Sequence, residues 1–258
     1  MRAVGIVAVN TFREAVRDRV LYNLVFFALL MFAAAILVGQ ISIGIQDVVI
    51  VSLGLSAISL IGLLMAVFIG VGLVYKEMDK RTLYAVLSKP VRRWEFLLGK
   101  YVGLLVTLGV NTFFMTLGLL AAMLYVKHGL AAGDVSTVVA AYFILLKLAL
   151  VVALALLFSC FTTPLLAILF TVGLYVTGLF VHQIRAFGNI TGSAALDAAA
   201  VWLSYLLPNF ENFNAIAAAA HGRAIPGALI AQNTAYTLVY AAVVLVAASA
   251  VFSRRNLK

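Results

Sequence analysis

The chain has 258 residues, of which 65% are hydrophobic and only 10% charged, and its mean hydropathy is +1.15. A soluble domain of this length needs far more charge to cover its surface, so a soluble fold is excluded. The formal net charge of +9 comes from basic residues that flank apolar runs and are not interleaved with base-stacking aromatics, so we expect no nucleic-acid partner.

The apolar residues occur in runs of roughly 20, the length of a helix that crosses a hydrocarbon core of about 30 Å. Backbone groups in lipid must be satisfied within their own segment, so such runs form helices. The sequence therefore predicts an all-α polytopic membrane protein with a single membrane domain, residues 1–258. Six transmembrane helices are predicted, at residues 21–39, 48–74, 101–126, 138–160, 165–182 and 232–252.

The segment before the first span, residues 5–20, is amphipathic at helical spacing. Its apolar face holds Val9, Phe12, Val16 and Val20, and its polar face holds Asn10, Arg13, Glu14, Arg17 and Asp18. We expect a helix that lies in the membrane interface; a cytoplasmic extension of the first span is the alternative. The segment has no short apolar core with a cleavage site, so no cleavable signal peptide is expected.

A charged loop, residues 75–100, separates the second and third spans. Within it Leu83, Val86 and Leu87 share one helical face, and Pro90 ends the helix because proline lacks the donor for a further turn. A short helix with an apolar stripe and charged flanks suits docking into a groove on a partner. The alternative is a solvated loop that only anchors two spans.

The basic residues predict the orientation. Fourteen of the 18 Lys and Arg lie in the N-terminal segment, the charged loop and the C-terminal tail. Loops on the cytoplasmic side carry the positive excess, so both termini and the charged loop are expected there. The opposite side then holds residues 183–231, an unusually apolar segment that we expect to lie in the outer interface or to re-enter the membrane.

Two polar residues are predicted at mid-depth, Lys147 in the fourth span and Asn111 in the third. Burying a lysine there costs roughly 3 kcal/mol on insertion scales. One interpretation is a structural clasp in which Lys147 donates to Asn111 or to carbonyls. The other is a cationic point in a translocation pathway that meets an anionic headgroup or substrate.

Several kinds of chemistry are missing from the sequence. No Gly-x-x-x-x-Gly-Lys-Ser/Thr loop occurs, and no nucleophile motif or metalloprotease helix is present, so an enzyme is not expected. The predicted spans contain no Asp or Glu, which argues against an ion-coupled carrier. Cys160 is the single cysteine, and the three histidines have no ligand spacing, so neither a disulfide nor a metal site is expected.

The charged loop resembles the signature loop of ABC transporter permeases of the type 2 exporter class. The shared pattern is an acidic residue, a Thr-Leu pair, a Leu-Ser-x-Pro turn, a basic residue and Leu-Gly-Lys, here within Glu77–Lys100. Three further stretches also resemble that class: Asn10–Tyr22, Leu207–Asn214 and Phe252–Lys258. Within the class the chain is most similar to the branch containing the permease for copper-site maturation of nitrous oxide reductase.

The resemblance implies a permease homodimer, or a pair with a related permease, in the cytoplasmic (inner) membrane of a prokaryote. Two copies of a separate ABC ATPase would bind ATP and Mg, and this chain would bind no cofactor itself; its other partner would be membrane lipid. The resemblance also implies an N-terminal elbow helix and a coupling helix that docks on the ATPase. The residues that it assigns to docking are Glu77, Asp79, Lys80, Arg81, Leu83, Val86 and Leu87.

The external segment would close an outer gate, for which the resemblance points to Pro208, Phe210, Glu211 and Phe213. The function predicted from the sequence is thus the membrane subunit of an ATP-driven exporter. A non-transporting scaffold or sensor that recruits a cytoplasmic partner through its basic loop is the alternative. An intramembrane enzyme acting on lipid is disfavoured by the missing catalytic motifs.

The topology can be tested by cysteine labelling in a Cys160→Ala background. A cysteine at Ser88 should react only with membrane-permeant thiol reagents, because the charged loop is expected in the cytoplasm. A cysteine at Asn212 should react with impermeant reagents added from outside. The reverse labelling pattern would overturn both the orientation and the assignment of the charged loop.

Overall fold

The computed structural model describes residues 2–15, 45–79, 93–127, 132–183, 201–204 and 206–254, with residue 129 and a few positions between 26 and 37. The regular structure of this part of the chain is entirely helical. Within the described residues, seven α-helices are bounded as follows: α1 Arg2–Ala15, α2 Gln46–Asp79, α3 Arg93–Lys127, α4 Val135–Ser159, α5 Pro164–Leu179, α6 Ile216–Ala220 and α7 Gly227–Arg254. Short 3-10 turns occur at Ala132–Asp134 and Glu211–Phe213.

Four of these helices are long and apolar enough to cross a membrane. Their apolar parts are Gln46–Gly72, Trp94–Lys127, Val135–Ser159 and Gly227–Ser253, which coincide with four of the six predicted spans. The first predicted span, 21–39, lies largely outside the described residues. The fifth is the 16-residue helix α5, shorter than the roughly 20 residues of a perpendicular span. The arrangement of six spans therefore stays a prediction.

Successive long helices run in opposite directions. Lys127 at the end of α3 lies 3.7 Å from Asp47 at the start of α2, and rings of Phe96 in α3 and Phe252 in α7 stack at 6.3 Å. One end of the bundle thus holds the end of α2, the start of α3 and the end of α7, and we call it the basic end. The opposite end, with Lys127 and the start of α4, is called the far end.

Helix α4 is the centre of the bundle. It packs on α2, α3, α5, α6 and α7, and most of its side chains are buried. Helix α2 packs closely on α3 and α4 at two glycines. A Cβ at Gly54 would overlap the Leu119 side chain of α3, and a Cβ at Gly62 would overlap the Leu148 side chain of α4. Apolar side chains of α4 point to neighbouring helices on all sides, so this helix shows little amphipathic pattern in sequence.

The link between α4 and α5 is short, as the predicted spans 138–160 and 165–182 imply. Helix α4 ends at Ser159, and α5 starts at Pro164, where proline occupies the first helical position without losing a hydrogen bond. Rings of Phe158 and Phe170 approach to 5.6 Å across the hairpin, and Cys160 at the turn is fully buried. These two helices therefore form a tight antiparallel pair.

The N-terminal helix α1 is seated on the first third of α3. A Cβ at Gly99 would lie 2.6 Å from Val7 Cβ, and one at Gly103 would lie 2.7 Å from the Ala8 carbonyl oxygen. Small residues four apart let two helix backbones approach in this way. Val9, which the sequence analysis assigned to the apolar face, is half exposed. The interfacial location of this helix stays a prediction, and residues 16–20 lie outside the described part.

A buried cation also joins the two helices. The Lys100 side chain is only 3% exposed, its Nζ lies 3.9 Å from Glu14 Oε2, and it stands over the Phe96 ring at 5.7 Å. Lys100 is the last residue of the predicted charged loop, but residues 93–100 of that loop form the start of α3, so α1 is attached to the part of α3 nearest the rest of the loop.

Replacing Gly103 by alanine tests the packing of α1 on α3. The new Cβ would collide with the Ala8 carbonyl and with Thr11, so we expect a destabilisation of about 1–3 kcal/mol, typical of overpacking. Gly109→Ala in the same helix is the matched control: nothing lies within 4 Å of its Cβ position, and its better helix propensity should stabilise by up to about 1 kcal/mol. Thermal unfolding in nanodiscs measures both variants. Equal stability of the Gly103→Ala and Gly109→Ala variants would show that α1 does not pack on α3 at Gly103.

Candidate translocation site and its two ends

Lys147 lies in the middle of the central helix and is 8% exposed. Its Nζ donates a hydrogen bond of 2.6 Å to Ser59 Oγ in α2, and stands 5.8 Å from the centroid of the Tyr175 ring in α5. A hydroxyl and an aromatic face both favour a cation, but neither carries the negative charge that would neutralise it. Lys147 is thus a cationic centre where α2, α4 and α5 meet.

Asn111 occupies a different place in the bundle. It is 1% exposed, and its Nδ2 donates to the sulfur atoms of Met65 at 3.2 Å and Met115 at 3.4 Å. Thioether sulfur is a weak acceptor, and the buried Oδ1 has no hydrogen-bond partner in the described part of the chain. The amide is therefore only partly satisfied by the described residues, and a buried polar atom without a partner is costly.

The predicted bond between Lys147 and Asn111 is wrong. Lys147 pairs with Ser59, whereas Asn111 faces Met65, about 9 Å further along α2 at 1.5 Å per residue. Equal depth in adjacent spans does not bring two side chains together, because each also needs the right angle around its helix. The partner Ser59 has no signal in the sequence beyond being a serine in an apolar run.

At the far end, the segment 207–215 packs into the bundle. Phe210 and Phe213 are each 1% exposed, and the backbone N–H of Phe210 donates to the Gly178 carbonyl at 3.0 Å. The Phe210 ring meets the Tyr175 ring at 5.1 Å, and a Cβ at position 178 would overlap both this ring and the Pro208 carbonyl. Glycine at 178 is therefore required by close approach. The same tyrosine ring thus contacts both Phe210 and Lys147.

The other side of this segment is bound to α7. Asn233 Nδ2 donates to the Asn212 carbonyl at 3.0 Å, and the Asn209 N–H donates to Tyr236 Oη at 3.0 Å. Glu211, also assigned to the gate from the sequence, is half-buried, and one of its carboxylate oxygens has no hydrogen-bond partner within the described residues. Residues 207–215 thus bridge the ends of α5 and α7. Part of the predicted external segment, residues 184–200, lies outside the described part.

A second polar cluster at the far end was not predicted. Lys127 Nζ lies 2.8 Å from Asp134 Oδ1 and 3.7 Å from Asp47 Oδ2. Asp134 is nearly buried, whereas Asp47 is 54% exposed. This cluster links the far-end termini of α2, α3 and α4. Lys127 and Asp134 lie between the third and fourth predicted spans, whereas Asp47 lies just before the second, and the sequence gives no signal that the three are close.

At the basic end, most of the predicted docking residues lie outside the described part: Lys80, Arg81, Leu83, Val86 and Leu87. Glu77 and Asp79 belong to the last turns of α2, which continues beyond its apolar part. The loop therefore begins at the end of a rigid helix, and it re-enters the bundle at Arg93.

Among the described residues, no group of three or more His, Cys, Asp or Glu side chains is placed to hold a metal ion. His182 is exposed and its Nε2 lies 3.4 Å from Asn209 Nδ2, while His221 is exposed after α6.

A family model described as ABC-2 family transporter protein matches residues 6–257. The chain therefore belongs to the ABC-2 transporter family. It is a multi-pass membrane protein and a transport component of the permease type. No curated protein shows a significant match to the chain.

The Lys147–Ser59 pair generates a stability prediction. Ser59→Ala removes the oxygen acceptor and leaves a buried cation, so it should lower the free energy of unfolding by about 1–3 kcal/mol. Lys147→Met removes the cation together with its desolvation penalty, and it should be neutral or stabilising.

Thermal unfolding in nanodiscs compares these variants, and Ser56→Ala, exposed on the same helix, serves as the control. The double variant of Ser59 and Lys147 should unfold like Lys147→Met alone. If the Lys147→Met variant were less stable than the Ser59→Ala variant, this would contradict the view that the buried Lys147 lowers the stability of the bundle.

Proposed function

We propose that this chain is the membrane subunit of an ATP-driven ABC exporter, which works as a dimer and is driven by two separate ATPase subunits. The ATPases would bind ATP and Mg and would dock on the charged loop between α2 and α3, on the cytoplasmic side of an inner membrane. The family match supports the transport role, and the excess of basic residues supports the orientation. The relation to the copper-site maturation branch remains part of this proposal.

The continuity of α3 is the observation that carries the coupling model. One unbroken helix of 35 residues runs from the end of the charged loop to Lys127. At its start it holds α1 through Gly99, Gly103 and Lys100, and at its other end Lys127 pairs with Asp134 and Asp47. A displacement of the loop by an ATPase would thus reach the far end through one rigid element.

The translocation pathway is proposed to pass Lys147, whose described partners carry no negative charge, and Asn111, whose Oδ1 has no hydrogen-bond partner within the described residues. A buried ammonium without a carboxylate among its described contacts favours an anionic group on the transported molecule. Phe210, next to Tyr175, gives a direct packing route from this centre to the far end. Pro208, Phe210, Glu211 and Phe213 would form the outer gate.

The requirement for a second copy follows from symmetry. The chain shows no internal repeat, so a pathway lined symmetrically needs a partner copy or a related permease. Helices α5 and α7 expose large apolar side chains that lipid or a partner would cover, among them Leu165, Leu169, Leu238 and Val243.

The coupling model is tested by replacing Leu83 and Leu87 with Asp. These substitutions would place charge in the docking groove at a cost of several kcal/mol, enough to weaken ATPase binding by orders of magnitude. Neither residue lies in a predicted span, so the variant should still insert and form a folded dimer. We expect it to lose its ATPase in co-purification.

Replacing Ser88 and Lys89, off the apolar stripe, by Asp provides the control with the same number of new carboxylates. A Leu83/Leu87 variant that retains its ATPase at wild-type affinity would contradict docking through this stripe. A strictly monomeric particle that still stimulates ATP hydrolysis would contradict the dimer.

A further inference from the structure

Segment 207–215 is attached to α7 by a regular set of hydrogen bonds. The three bonds are each 3.0 Å long and recur at every third residue of the chain: Tyr240 Oη donates to the Leu206 carbonyl, the Asn209 N–H to Tyr236 Oη, and Asn233 Nδ2 to the Asn212 carbonyl. The three α7 partners lie on one face, because steps of three and four residues match the helical turn. The chain thus runs antiparallel to α7 over about 10 Å, at 1.5 Å per residue. We call these bonds the α7 ladder.

Fewer hydrogen bonds join the same segment to α5. The Phe210 N–H donates to the Gly178 carbonyl at 3.0 Å. Asn209 Nδ2 lies 3.4 Å from His182 Nε2 at an exposed position, which is long for a hydrogen bond. Among the described residues, separating the segment from α5 therefore breaks one good hydrogen bond, whereas separating it from α7 breaks three.

Ring contacts do not offset this difference. On the α5 side the Phe210 ring meets the Tyr175 ring at 5.1 Å, and on the α7 side the Phe213 ring meets the Tyr236 ring at 6.2 Å. Each side thus has one aromatic pair. The α7 ladder is what distinguishes the two sides.

Helix α5 is also weakly embedded in the bundle. Of its 16 residues, three small or polar ones are buried: Ala167, Thr171 and Gly178. Helix α7 is instead hydrogen-bonded to the central helix α4, through the hydroxyls of Tyr142 and Thr234 at 2.9 Å. Segment 207–215 continues into α6, which packs on α2 and α4. The segment and α7 are therefore both joined to the centre of the bundle, whereas α5 lies at its edge.

We propose that the transported molecule leaves through the seam between α5 and segment 207–215, and that the three α7 residues of the ladder are positioning residues that keep the segment on α7. This inference rests on the outer gate of the proposed function and names the side on which that gate opens. Separation at the seam would uncover the Tyr175 ring, which also lies 5.8 Å from the Lys147 ammonium. The seam is thus next to the cationic centre.

Amide hydrogen exchange of the full chain in nanodiscs compares the two sides at adjacent residues, because the Asn209 N–H binds α7 and the Phe210 N–H binds α5. Residue-resolved mass spectrometry gives the protection of each amide relative to its intrinsic rate. Opening at the seam releases the Phe210 N–H alone. Each hydrogen bond changes such an equilibrium about fivefold, so we expect Asn209 to be at least about tenfold more protected than Phe210. Equal protection, or a less protected Asn209, would overturn the proposal.

Two tyrosine variants test the ladder. Tyr240→Phe removes one ladder bond without touching either measured amide, so the protection of Asn209 should fall about fivefold and that of Phe210 should stay unchanged. Tyr142→Phe is the matched control, because its hydroxyl binds Thr234 of α7 and not the segment, and both amides should keep their wild-type protection. Unchanged Asn209 protection in Tyr240→Phe, or an equal loss at both amides, would overturn the role of the ladder.

Cross-linking tests whether the seam opens during turnover. In a Cys160→Ala background, cysteines at His182 and Asn209 are joined across the seam by a short bismaleimide, and cysteines at Leu206 and Tyr240 are joined along α7. ATP turnover of the complex with its ATPase is compared before and after linking. We expect the link across the seam to stop turnover and the α7 link to leave it unchanged.

The other outcomes separate two kinds of failure. If the α7 link stops turnover, the segment does not stay on α7 and the proposal is wrong. If neither link affects turnover although the exchange difference is present, the seam exists but the segment is not the outer gate. That result would overturn the exit route together with the gate assignment of the proposed function.

Discussion

The burial of α4 is the constraint on which the rest of the bundle depends. In lipid, packing against other helices gains little from the hydrophobic effect, so helices associate through close contact and internal polar partners. Helix α4 meets five other helices, and it brings Lys147, the one charged residue within its apolar core, into this centre. Ser59 and Tyr175 must then approach from two different helices to accommodate the cation, which sets the positions of α2 and α5.

The two ends of the bundle differ in how they are held. At the far end, Lys127 pairs with two aspartates, and the segment 207–215 is bound to α5 and α7 by backbone and side-chain hydrogen bonds. At the basic end, the Phe96 and Phe252 rings stack, and α1 is joined to α3 both by close packing on Gly99 and Gly103 and by the Lys100–Glu14 ion pair. A transporter that receives force at the basic end would thus act on α3 and α1 together.

Lys147 connects the architecture with the proposed transport role. Its described contacts are a neutral hydroxyl and an aromatic ring, which stabilise the cation without neutralising its charge. The shared contact with Tyr175 places this centre next to Phe210 of the far-end segment. An anionic molecule that displaced Ser59 would therefore act on packing that continues to the proposed gate.

The sequence by itself determined the membrane class, the four long spans and the tight turn before Pro164. These features depend on composition, run length and local backbone chemistry, which are properties of position along the chain. Only the tertiary structure decided that Lys147 bonds to Ser59 and not to Asn111. The packing of α1 on Gly99 and Gly103, and the pairing of Lys127 with both Asp47 and Asp134, were also decided there. Hydropathy gives the depth of a residue in the membrane, but a contact also requires an angle around the helix and a neighbour at that angle. Both are set by how the helices pack together.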